Sequence, residues 1–183
     1  MNLTHHFLIS MPQMQDPSFE YTLTYICDHD EQGALGLVIN RPLPVSFQEV
    51  IEQTGLDSHG GLTGIPVFEG GPVDPGHGLV LHTDSGRDWS ATHHFTPPVC
   101  ISSSRDVLAD IAAGHGPDAY LIALGHAGWA PGQLEDEVAA NAWLTCPADL
   151  TILFATPAQD KLDAAMKTLG ISFADLSTDS GHA

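Results

Sequence analysis

The 183-residue chain carries twenty-three Asp and Glu against five Lys and Arg, a formal charge of −18 at neutral pH. A field of that sign repels phosphate backbones and anionic headgroups, which disfavours direct nucleic-acid and membrane binding and makes each cation a marked position. The length fits one domain with a sizeable core; 43% hydrophobic and 15% charged residues argue against disorder, and 18 Gly with 13 Pro argue against a helical bundle.

Residues 1–10 lack a cationic region and meet Pro12 soon after Phe7-Leu8-Ile9, so they read as neither a signal peptide nor a span. No stretch reaches the roughly 18 apolar residues of a membrane helix. A strand is predicted over 7–11, and a second over 20–27, where Tyr21, Leu23, Tyr25 and Cys27 alternate with Thr22, Thr24 and Ile26. A third strand, 33–40, stops at Arg41-Pro42, and the turn 28–33 makes the last two a hairpin. Ser46 and Glu49 form a capping box that opens a helix ending at Gly55, followed by a glycine-rich loop over 57–64. Short strands are expected at 66–69, 78–82 and 99–102.

A helix is predicted over 104–113, with Gly114 as its stop, then a doubly covered strand over 119–125. Pro131 opens a short helix to Asn141, and 150–155 reads as another buried strand. Thr156-Pro-Ala-Gln159 reads as a second capping box, opening a helix that buries Leu162, Ala165, Met166 and Leu169 and ends at Gly170. The pattern implies one α+β domain over 1–174 with about four helices, and a loose polar tail over 175–183.

Several motifs invite chemistry and are met by plainer readings. Gly114-His-Gly-Pro-Asp-Ala119 matches G-x-G-x-x-A, but it follows a helix and enters a strand, the reverse of the dinucleotide context. No P-loop and no G-x-S-x-G elbow occur. His77, His82, Asp84, His93 and His94 crowd eighteen residues and would bind zinc if they converged, yet their spacing fits no established motif, and solvated loop histidines are the favoured reading. No metal or cofactor is therefore expected. Cys27, Cys100 and Cys146 are odd in number and widely spaced, which suits reduced thiols in a cytoplasm. Cys27 with His29 is read as a small buried cysteine rather than a nucleophile pair, since Asp28 and Asp30 work against a thiolate.

Ser104-Arg105-Asp106 offers an anion site at a helix N-terminus, or else an internal ion pair, and Asn40-Arg41 poses the same choice at a strand end. Gly70-Gly71 and Gly125-His-Ala-Gly-Trp129 permit close backbone approach, for core packing or around a ligand. Trp129 and Trp143 are expected to be core anchors.

Together the segments His6-Phe-Leu-Ile-Ser-Met-Pro12, Tyr25-Ile-Cys-Asp-His29, Gly33-Ala-Leu-Gly-Leu-Val-Ile-Asn-Arg-Pro42, Gly70-Gly-Pro-Val73 and Leu79-Val-Leu-His82 resemble the AlgH/YqgE family of bacterial proteins. Ser104-Arg-Asp-Val-Leu108, Leu124-Gly-His-Ala-Gly-Trp129, Gly132-Gln-Leu-Glu135 and Asn141-Ala-Trp-Leu144 extend the likeness along nearly the whole chain. The resemblance implies an α+β domain whose bifurcated, mostly antiparallel and mixed sheet folds into a pseudo-barrel. It implies no catalytic residues; the family name reflects regulation of alginate production, and some members are labelled transcriptional regulators. The chain departs from the family's usual pattern at His77-Gly78-Leu79, where many members carry arginine and then glycine–aromatic, and at Lys161-Leu162, where tryptophan is usual.

Two functions are carried forward. The first is a non-enzymatic cytoplasmic regulatory protein acting through an unidentified protein partner rather than on DNA. The second is a small-molecule or anion-binding domain, or an enzyme, whose site draws on Asn40, Arg41, Gly70, Gly71, His82, Ser104 and Arg105.

Overall fold

A computed structural model of the chain describes residues 1–58, 60–95 and 98–178. In order they form β1 (His6–Ser10), β2 (Leu23–Asp30), β3 (Gly33–Val38), β4 (Pro42–Ser46), α1 (Phe47–Thr54), β5 (Pro66–Glu69), β6 (Val73–Thr83), β7 (Thr92–His94) and β8 (Val99–Ser102). Then come α2 (Arg105–Ala112), β9 (Tyr120–Trp129), α3 (Gln133–Ala139), β10 (Trp143–Pro147), α4 (Leu150–Phe154), α5 (Ala158–Thr168) and α6 (Phe173–Thr178). The α+β reading holds, and α1, α2, α3 and α5 are the longer helices among the described residues.

The sheet runs β10-β1-β2-β3-β9-β6-β8-β7, and β9 is where it forks. One edge of β9 pairs with β6 from Tyr120 to His126, through a register shift; the other takes β5, in parallel, along Ile122 to Leu124, and β3, antiparallel, along Ala127 to Trp129. β4 then lies on β5. Alternation along each strand sorts the core. Phe7, Ile9, Leu79 and Leu81 face the main cluster under α4 and α5, whereas Val80 and Ile122 face a second cluster with Phe47 and Ile51 of α1 and Val107 and Ile111 of α2. Leu8, Ile26, Trp129, Leu134 and Trp143 make a third beside α3, so both tryptophans are core anchors as expected.

The capping box at Ser46 and Glu49 is complete, and Gly55 ends α1 in the left-handed region. Other expectations need correction. Residues 150–154 are helix rather than strand: the Asp149 carboxylate accepts from the amides of Thr151 and Ile152, and a short apolar run does not by itself separate a buried strand from a buried helix. No second capping box forms: α5 has no side-chain cap, and the Thr156 hydroxyl donates instead to the carbonyl of Thr151 in α4. β4 went unread because Pro42 and Pro44 argue against a strand; it sits at the edge of its sheet branch with a broken register, where proline is tolerated. Residues 175–178 belong to α6 rather than to a loose tail, and 179–183 lie outside the described residues.

Candidate functional site

The two glycines proposed for a ligand stand at the fork instead. The Gly70 amide donates to the Leu124 carbonyl, and its carbonyl accepts from the Val38 amide, both at 2.8 Å, so one residue stitches β3 to β9. A Cβ on Gly70 would lie 2.2 Å from the Gly125 carbonyl oxygen, and one on Gly71 2.3 Å from the backbone of His126.

Neither Arg41 nor Arg105 pairs with a carboxylate within 4 Å among the described residues. Arg41 donates from Nη1 to the Ser18 carbonyl at 2.8 Å and from Nη2 to the Glu20 carbonyl at 2.6 Å. Asn40 completes the clamp, accepting from the Leu23 amide at 2.8 Å and donating to the Tyr21 carbonyl at 3.0 Å, while Tyr21 holds φ 56°. Arg105 donates to the Thr54 carbonyl at 2.6 Å, closing the C-terminal end of α1. Its neighbour Ser104 donates to Asp106, which also accepts from the Ser90 amide and hydroxyl. Burial acts to raise the Asp106 pKa, but the hydrogen bonds from Ser104, Ser90 and Val107 prevail and hold it at about 2. Carbonyl clamps thus take the place of the internal ion pair read for these arginines.

His82 is buried within β6. Its Nε2 lies 2.8 Å from the Ser102 hydroxyl, which lies 2.8 Å from the Thr92 hydroxyl, and its Nδ1 is 2.9 Å from the Thr83 carbonyl. Burial is the main cause lowering its pKa. Every polar atom of this ring is spoken for inside the fold.

The histidine cluster divides. His77 and His93, with His126, Asp74 and Phe95, line a cavity of about 290 Å³. His94 alternates to the other face of β7, where Nδ1 lies 3.2 Å from Cys100 Sγ and 3.6 Å from Asp84 Oδ2, and Nε2 lies 2.7 Å from Asp88 Oδ1. Sequence reasoning missed Cys100 and Asp88 here: β7, which places His94 directly opposite Cys100, is three residues long and leaves no strand pattern to read. A smaller cavity of about 160 Å³, lined by Phe68, Tyr120, Leu153 and Lys161, lies beneath α5.

Residues 7–174 match the sequence profile described as AlgH-like. The chain belongs to the AlgH-like family. It is 52% identical over 183 residues to a UPF0301 protein of Azoarcus sp. (strain BH72), covering 100% of this chain and 97% of the relative. A UPF0301 protein of Hahella chejuensis is 47% identical over 181 residues, covering 99% of this chain and 96% of that one. The solution structure of the AlgH protein from Pseudomonas aeruginosa superposes with a TM-score of 0.81 at 48% identity, covering 100% of this chain and 97% of that one. A crystal structure of a Corynebacterium diphtheriae protein shares the fold at TM-score 0.70 and 18% identity, covering 96% and 91%. No helix among this chain's described residues is long and apolar enough to cross a membrane.

Proposed function

We propose that this AlgH-like chain is a non-catalytic, cytoplasmic binding protein whose acidic surface engages a basic protein partner, and that any effect on transcription passes through that partner rather than through DNA. One observation carries the reading: four of the five cations are consumed by the fold. Arg41 and Arg105 clamp carbonyls, Arg87 pairs with Asp110, and Lys161 is buried on α4 carbonyls, which leaves Lys167 facing a large excess of carboxylates. Such a surface repels a duplex and steers a polycation. Cross-linking in native extract, followed by reconstitution with the purified partner, tests it. The expected partner is basic, and its affinity falls at least about tenfold between roughly 0.05 and 0.3 M salt. A salt-insensitive neutral partner, or specific duplex binding by the purified chain at physiological salt, contradicts the reading.

A further inference from the structure

We propose that Asp84, His94 and Cys100 form a zinc site at the free end of the β6–β8–β7 branch. The inference stands apart from the partner reading and rests on how three strands end. Cys100 is the register partner of His82 on one side and of His94 on the other, so β8 presents its thiol between β6 and β7. Asp84 follows immediately after β6, and its amide donates to the Pro98 carbonyl at 2.8 Å, which holds that turn against the start of β8. One ligand atom from each of the three residues lies within 4.8 Å of the other two.

The donor set suits zinc. Thiolate, imidazole and carboxylate are its ordinary ligands, and bond lengths of about 2.0–2.3 Å in a tetrahedron place neighbouring donors roughly 3.3–3.8 Å apart. The observed separations of 3.2 Å for sulfur to nitrogen and 3.6 Å for nitrogen to oxygen already approach those edges. Asp88 supplies the outer partner. With the His94 proton on Nε2 and directed at Asp88, Nδ1 carries the lone pair, and that nitrogen faces Cys100 and Asp84.

The local electrostatics want a cation. Two carboxylates, Asp84 and Asp88, converge on His94 beside the Cys100 thiol. Arg87, close in sequence, is already engaged by Asp110 and lies over the Trp89 ring. A divalent ion reverses the balance, taking the thiol as thiolate and neutralising the carboxylate. His94 and Asp84 are 45% and 36% exposed, so the ion has a way in, while Cys100 is 2% exposed and anchors it to the sheet. Three protein ligands leave a fourth position for water or an outside donor. The ion would pin the edge strand β7 to the turn after β6.

The test uses the full-length, reduced, metal-stripped chain, titrated with zinc against a chromophoric chelator and with cobalt(II) as a spectroscopic probe. One zinc per chain is expected, and the cobalt form shows a thiolate-to-metal charge-transfer band. Cys100→Ser removes that band and weakens zinc at least about 100-fold, and Asp88→Asn weakens it about 10- to 100-fold. Asp84→Asn, on an exposed turn, gives a second ligand variant should Cys100→Ser fold poorly, and it also weakens zinc. Cys27→Ser and Cys146→Ser keep the band. A chain that takes up no zinc, a cobalt form without the band, or zinc affinity unchanged in Asp84→Asn overturns the assignment. In that case His94 serves only as the hydrogen-bonding centre between Asp88 and Cys100.

Discussion

Gly70 and Gly125 meet backbone against backbone at the fork of the sheet, with no room between them for a single methyl group. The contact lets β9 hand one of its edges from β5 to β3 while Gly70 bonds to both neighbours. Gly125 turns there at φ 75°, a conformation an L-residue enters at a cost. Gly70→Ala is therefore expected to destabilise the domain by about 2–3 kcal/mol through overpacking. Gly128→Ala, on the same strand with open space around its Cβ position, should stay within about 0.5 kcal/mol. Urea unfolding of the two variants decides it; equal losses would show that the close approach is not what requires glycine.

Glu137 holds the third core cluster together from one side chain. Its Oε2 accepts from the indole of Trp129 at 2.9 Å and of Trp143 at 2.8 Å, and its Oε1 accepts from Gln133 at 2.8 Å. Glu137→Ala strands two indole donors in a mostly buried setting and should cost about 3 kcal/mol, whereas Glu137→Gln, which keeps a carbonyl acceptor, should cost about 1 kcal/mol. Denaturation midpoints followed by tryptophan emission report both. If Ala and Gln behave alike, the acceptor is not the reason for the residue.

Much of this architecture was legible where the cause is local. Ser46 and Glu49 announce a helix start because both partners lie within four residues, and 66–69 and 99–102 read as strands between clear breakers. Non-local causes were hidden. Pro75 and Gly76 suggest a turn, yet β6 carries them through a register shift, and the prolines of β4 are harmless only because it is an edge. Charge scarcity correctly marked Arg41 and Arg105 as employed, but a carbonyl acceptor leaves no trace in sequence, unlike an expected carboxylate. The pairing of His94 with Cys100 was invisible for the same reason: it needs a hairpin whose second strand is strongly patterned and whose first is three residues long.

Arg41 should behave as a brace. Its two carbonyl bonds hold the segment before β2, where Tyr21 has positive φ and its ring meets Phe173 at 5.0 Å. Arg41→Ala should lose about 1–3 kcal/mol and speed amide exchange in Thr22 and Leu23. Lysine lacks the planar guanidinium whose two separate nitrogens reach the Ser18 and Glu20 carbonyls, so Arg41→Lys should recover little. The losses should be the same with and without phosphate at fixed ionic strength. Stabilisation of the parent chain by phosphate that disappears in Arg41→Ala would restore the anion-site reading.

Lys161 gives the fold a pH signature. Its ammonium donates to the carbonyls of Ile152 and Leu153 at the end of α4, and burial lowers its pKa from 10.5 to about 8. Below pH 8 the native and unfolded chains both hold this proton. Between about 8 and 10.5 the unfolded chain holds a proton that the native chain has released, so this residue's contribution to stability rises with pH across that window. Burial raises the pKa of Tyr25 and Cys27, which oppose that rise; they are present in Lys161→Met as well and cancel in a comparison. Relative to Lys161→Met, the parent chain should gain up to about 3 kcal/mol between pH 8 and 10.5. Paired denaturation curves at several pH values measure the difference, and a flat one would mean that the buried amine keeps its proton throughout.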